Sequence, residues 1–178
     1  MPSLTRTALA VLPLGLISLL HTPPSVGRAR FSGTHTFTIV QPQQMEFGDA
    51  PGHVLMLAQA RGSNRSPGPD GFMDGAEIVS VSMADLVAGN GSNHGYDIQV
   101  GDGDSVFSQW GGVVATVLSP EKTPLTSFHG TWTKSRGTGR YLGIKGAGTY
   151  QGRFTSPTAY VVEWRGEITV PKDRVAKR

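Results

Sequence analysis

Residues 130–152 read GTWTKSRGTGRYLGIKGAGTYQG. A break at Arg136, Gly137, Thr138 and Gly139 divides the stretch into two alternating arms, which is how a tight hairpin between antiparallel strands reads. Before the break, a strand over 126–133 puts Phe128, Gly130 and Trp132 on one face. After it, a strand over 140–154 puts Leu142, Ile144, Gly146, Gly148, Tyr150 and Phe154 on one face. Glycine stands at 143, 146, 148 and 152 of that second arm. Glycine weakens a flat strand, but it permits the sharp coiling that closing a small barrel demands.

The rest of the chain repeats the pattern. Strand-like runs cover 31–40, 53–60, 76–83, 94–100, 104–118 and 158–170, the last with Tyr160, Val162, Trp164, Ile168 and Val170 on one face. On the first run, His35, Phe37 and Ile39 share a face. The sequence holds 24 Gly and 12 Pro, and no apolar run after residue 30 keeps helical spacing. Asp102 and Gly103 predict a hairpin turn, residues 84–87 a single turn, and Gly111 and Gly112 a bulge or tight bend within the fifth strand. Residues 61–75 form a long turn-rich loop. Its Phe72 and Met73 either plug a barrel mouth or anchor the loop to its own domain. Together these features predict an all-β fold, an eight-stranded antiparallel up-and-down barrel with a small central pocket. A two-sheet sandwich is the rival that alternation alone does not separate.

The ends of the chain read differently. Arg6, the apolar run 8–20 and the small residues Gly27 and Ala29 have signal-peptide anatomy, with cleavage expected before Arg30. That apolar run is shorter than the ~20 residues a membrane-spanning helix needs. The expected organisation is a signal peptide over 1–29, a barrel domain over 30–170 and a basic tail over 171–178. The mature protein is expected to be secreted or periplasmic, with no integral membrane span. The formal net charge is +3, but the leader and tail carry the excess and the body is slightly acidic. Nucleic-acid binding needs cations clustered on the folded surface and is disfavoured. The chain has no cysteine, so thiol catalysis, thiolate metal sites and disulfides are excluded.

Stretch 130–152 resembles the allene oxide cyclase-like barrel superfamily, which includes dirigent proteins. The matching features are the Gly-Thr-Gly hairpin, the aromatic after it and the Gly-x-x-Gly-x-Gly-Thr-Tyr run. Asp102, Gly103, Asp104, Trp110 and the closing 159–164 (AYVVEW) fit the same layout, whereas Arg136 departs from a dirigent Gly-Gly-Thr-Gly hairpin. The resemblance implies a calycin-type barrel that binds small apolar molecules. It also implies cyclisation without metal or organic cofactor, and assembly as a homodimer or homotrimer through the outer wall.

The residues themselves exclude several chemistries. His35, His53, His94 and His129 have no metal-ligand spacing, so no metal site is expected. No G-x-S-x-G elbow and no phosphate-binding Gly-Lys-Ser/Thr motif occurs. Asp102 and Asp104 lack the further ligands of a calcium loop. Two sequons begin at Asn64 and Asn90.

Aromatic residues carry the remaining signal. Phe37, Trp110, Phe128, Trp132, Tyr150, Tyr160 and Trp164 are the candidate ligand-binding residues, with a simply filled core as the bland alternative. Gly146 and Gly148 would leave space beneath Trp132, Tyr160 and Trp164. Tyr150, Tyr160 and Glu163 are the candidate catalytic residues. His129, Glu77, Arg153 and Gln109 are further polar groups within reach. Strict alternation turns His129, Arg153 and Glu163 outward, which leaves the two tyrosines better placed. Two functions follow. One is a cofactor-independent cyclase or isomerase of a small, largely apolar natural-product intermediate. The other is a non-catalytic, lipocalin-like carrier of a small apolar ligand. A solid lumen excludes both; an ionisable group at the floor of an open lumen favours the enzyme.

Overall fold

A computed structural model describes residues 27–68 and 71–170. Eight strands run in chain order: β1 (Gly27–Glu46), β2 (His53–Arg65), β3 (Glu77–Val87), β4 (Asn90–Gly101), β5 (Asp104–Leu118), β6 (Pro124–Gly137), β7 (Lys145–Phe154) and β8 (Ala159–Val170). Each pairs antiparallel with its neighbours in sequence, and β1 also pairs with β8, closing the barrel. The rival sandwich is thereby excluded. The expected leader lies outside the described residues except for Gly27, Arg28 and Ala29. These form the first rungs of β1, opposite Val170, Thr169 and Ile168. The tail at 171–178 also lies outside them. Among the described residues no helix is long and apolar enough to cross a membrane.

Several boundaries shift from the expected ones, each for a local reason. Residues 84–87 continue β3 instead of turning. The turn falls on Ala88 and Gly89, whose φ angles of 50° and 76° suit a two-residue hairpin of the primed type. β1 runs on to Glu46 through a bulge at Val40, which restores pairing after the sequence pattern breaks. Gly111 and Gly112 pair in register with Thr131 and Gly130, so no bulge lies there. The register shift falls instead between Phe107 and Ser108, where Ser135 of β6 is the extra residue. β7 begins only at Lys145, after a 3-10 turn at Gly139–Tyr141, which leaves Leu142 exposed. Asp102 and Gly103 form the expected turn, both with positive φ.

The two ends of the barrel differ. One is packed solid by Phe72, Met73, Ile78, Val106, Ile144 and Ile168. It carries the β2–β3, β4–β5 and β6–β7 connections. The other carries the β1–β2, β3–β4, β5–β6 and β7–β8 connections, and residues of the last three line an opening.

Candidate functional site

The solid end is a plug. Asn64, fully buried, donates from Nδ2 to the carbonyl oxygens of Phe72 (2.7 Å) and Met73 (2.8 Å). Its Oδ1 accepts from Trp164 Nε1 at 3.1 Å. Ser66 Oγ donates to the Ser32 carbonyl at 2.8 Å and accepts from Phe72 N at 3.1 Å. Residues 61–65 of the expected loop continue β2, and the segment after them folds back into the barrel, where Phe72 packs against Phe31, Tyr141 and Trp164. This settles the two readings left open by the sequence in favour of a plug. The sequon at Asn64 is an anchor, since its side chain is wholly engaged inside the fold.

Above the plug lies a cavity of about 920 Å³. The seven aromatics expected to bind a ligand, Phe37, Trp110, Phe128, Trp132, Tyr150, Tyr160 and Trp164, all line it. The lumen is therefore not filled, which removes the filled-core alternative. The geometry differs from the expected one in detail. Trp132 lies over Gly148, its direct cross-strand partner, so that glycine holds an indole rather than empty space. The same pairing recurs at Gly33 with Trp164, Gly62 with Phe37, Gly95 with Trp110 and Gly152 with Phe128. Each large ring lies against the wall across a residue without a side chain, a cross-strand pairing known from edge glycines in sheets. The empty volume comes from the facing wall, where Ala58, Ala60, Ser80, Ser82 and Ala84 of β2 and β3 present little bulk.

The floor is polar. Lys134, which extends the Phe128–Gly130–Trp132 alternation by one step, points into the lumen. Its Nζ donates to Gln99 Oε1 at 2.7 Å and to Ser108 Oγ at 3.1 Å, and sits 5.1 Å and 5.2 Å from the ring centres of Phe72 and Trp132. No carboxylate lies within 4 Å of it among the described residues. Burial pushes the Lys134 ammonium down to about 8, against the opposing pull of Asp97. Gln99 Nε2 in turn faces His35 Nε2 at 3.4 Å. Burial and the Lys134 charge hold His35 down to about 3, so its imidazole is neutral. With Gln99 Nε2 as the donor, His35 Nε2 is the acceptor, and the imidazole proton is assigned to Nδ1.

Higher on the wall stands Asp97. Its Oδ1 accepts from Trp110 Nε1 at 3.0 Å. Burial raises its pKa, while hydrogen bonds from Ser80 and Trp110 and the Lys134 charge pull it back. Tyr160 lines the cavity and is raised by burial and by Asp97. Tyr150 is raised for the same reasons, yet its hydroxyl has no hydrogen-bond partner and is tucked against Gly130. Only the Tyr150 ring therefore faces the lumen. Glu163 stands on the outer wall, where it accepts from Gln151 Nε2 at 2.9 Å, and it does not reach the lumen. Alternation explains this: Val162 and Trp164 beside it point inward. Glu77, Gln109 and His129 are likewise outward and exposed, whereas Arg153 lines the mouth. Lys134 escapes sequence reasoning because the expected strand ends at 133, and Asp97 and Gln99 escape it because β4 is inverted. There the apolar Tyr96, Ile98 and Val100 face out while Asn93, Gly95, Asp97 and Gln99 face in.

No protein-family model matches this chain and no curated protein matches it. Among solved structures, it is similar to a pterocarpan synthase dirigent protein at 10% sequence identity and a TM-score of 0.47, over 89% of this chain and 98% of that one.

Proposed function

We propose that the lumen binds a small, largely apolar molecule and converts it as a cofactor-independent cyclase or isomerase, with Asp97 as the proton-exchanging group. One observation carries the reading: Asp97 and Lys134 both face a cavity walled by aromatic and small side chains without forming an ion pair with each other. A carrier needs only apolar walls, and buried charges are costly to keep there. A cyclase must hold one folded conformer of its substrate and supply a proton or fixed charge where charge develops. The flattened aromatics give the first. A carboxyl raised by burial and steadied by Trp110 is suited to the second. The resemblance of 130–152 to allene oxide cyclase-like barrels supports the same reading, and we propose that the protein acts after export.

The test is native mass spectrometry of the protein purified from its own host, followed by re-incubation of the retained molecule. Conversion by the wild type and not by Asp97→Asn is the expected result. A molecule retained but returned unchanged makes the protein a carrier. A protein that retains nothing, and that fails to bind an apolar dye in the lumen, defeats both.

The same proposal includes self-association. Val81, Met83, Tyr96 and Ile98 are exposed side by side on the outer wall of β3 and β4, where Val81 pairs with Tyr96. Sedimentation equilibrium is expected to show a dimer or trimer that Tyr96→Lys weakens; a wild type that stays monomeric removes this part.

A further inference from the structure

We infer that Lys134 is a covalent capture site for carbonyl compounds, an amine at the floor of the lumen that forms an imine with an apolar aldehyde or ketone. This rests on the lumen being a ligand-binding cavity and names the chemistry of what it takes. Three features on the page point there. The amine is at least nine-tenths buried, yet its side chain lines a cavity open at the far end. It makes two hydrogen bonds, both to neutral partners, Gln99 and Ser108. Its approach is walled by Trp132 and Trp164, so a ligand end that arrives there is held against the nitrogen and away from bulk water.

The neighbours fit the chemistry. A neutral amine is the nucleophile, and burial favours that form. In the neutral state one N–H still bonds Gln99 Oε1, and Ser108 can donate to the lone pair or turn aside when a carbonyl arrives. The nitrogen attacks the carbonyl carbon, and one amine proton passes to the carbonyl oxygen, which becomes a hydroxyl. That hydroxyl leaves as water with a second proton, supplied by solvent through the open mouth of the lumen. The products are a protonated imine and one water. The imine retains an N–H for Gln99 Oε1. Nothing is oxidised or reduced.

The experiment uses the whole chain. Protein is incubated with trans-cinnamaldehyde and sodium cyanoborohydride, which reduces an imine to a stable secondary amine, and the adducts are mapped by peptide mass spectrometry. Lys122 and Lys145, which are exposed, serve as internal references. At about pH 7.5 the free-amine fraction of Lys134 exceeds that of an ordinary lysine by on the order of a hundredfold. Labelling at Lys134 should therefore exceed that at Lys122 and Lys145 by at least about tenfold, if reactivity follows the free amine. Excess N-phenyl-1-naphthylamine, a non-carbonyl apolar dye, should bind the lumen and suppress labelling at Lys134 alone. Lys134→Arg keeps the cation and should bind the dye without taking the label. Labelling that is equal across the lysines, or greater at Lys122 or Lys145, overturns the inference. If the dye binds but Lys134 takes no label, the inference fails and the binding reading stands. If the dye does not bind and Lys134 takes no label, both fail.

Discussion

At Gly148 an added Cβ would run into the Arg165 carbonyl oxygen and lie 2.5 Å from Trp132 Cζ2. Moving the indole relieves only the second clash; the first forces the β7 and β8 backbones apart. Gly148→Ala is expected to destabilise the barrel by about 1–3 kcal/mol, the range for overpacking a tight site, measured as a lower urea midpoint. Lys134 acts on stability in the opposite sense to most lysines. Its folded pKa, about 8, lies below that of the unfolded chain, so the folded state holds fewer protons between the two values. Stability contributed by this residue therefore rises as the pH goes from about 8 to about 10, by at most about 3 kcal/mol. Lys134→Met, similar in length and uncharged, should flatten that rise. Urea midpoints across this pH range check the prediction, and a slope equal in both proteins would contradict it.

Between the strands, His53 acts as a clamp. Its Nδ1 contacts Asp49 of the β1–β2 connection, and its Nε2 contacts Asp85 of β3 at 2.8 Å. The hydrogen bonds to Asp49 and Asp85 raise the His53 pKa. A raised histidine stabilises fully below its ordinary pKa, and that contribution is lost as the pH climbs through the raised value. The connection at 47–52 should accordingly exchange its amide protons faster, relative to intrinsic rates, above neutrality than below. His53→Gln should remove that pH dependence in the same hydrogen-exchange measurement. Elements were also the scale at which the sequence was most readable. Alternation placed all eight strands, and the inward faces of β6 and β8, because each of those strands keeps one apolar side. β4 was not readable in this way. Its apolar residues face outward and its inward face is Asn93, Gly95, Asp97 and Gln99, so hydrophobicity points to the wrong side. The site inherits that split: the aromatic walls were legible and the polar floor was not. A lysine next to a predicted turn gives no sign of burial until the register of Ser135 is known.

For the whole molecule, closure depends on the Gly27–Thr38 part of β1 meeting β8 along its full length. Gly27, Arg28 and Ala29 cover the last rungs of β8, and Arg28 forms an ion pair with Glu167. A chain begun at Arg30, the expected cleavage point, loses those rungs, whereas one begun at Gly27 keeps them. The shorter form is expected to melt roughly 2–4 °C lower for each ~1 kcal/mol of lost pairing, and calorimetry of the two forms measures the difference. The plug at Asn64, Phe72 and Met73 bears on time as well as on shape. Among the described residues the base is sealed and the lumen opens at one end. A long guest that cannot turn round inside meets Lys134 with whichever end enters first, and must back out through the same door. For a guest of the proposed kind, arrival and departure would share a single passage.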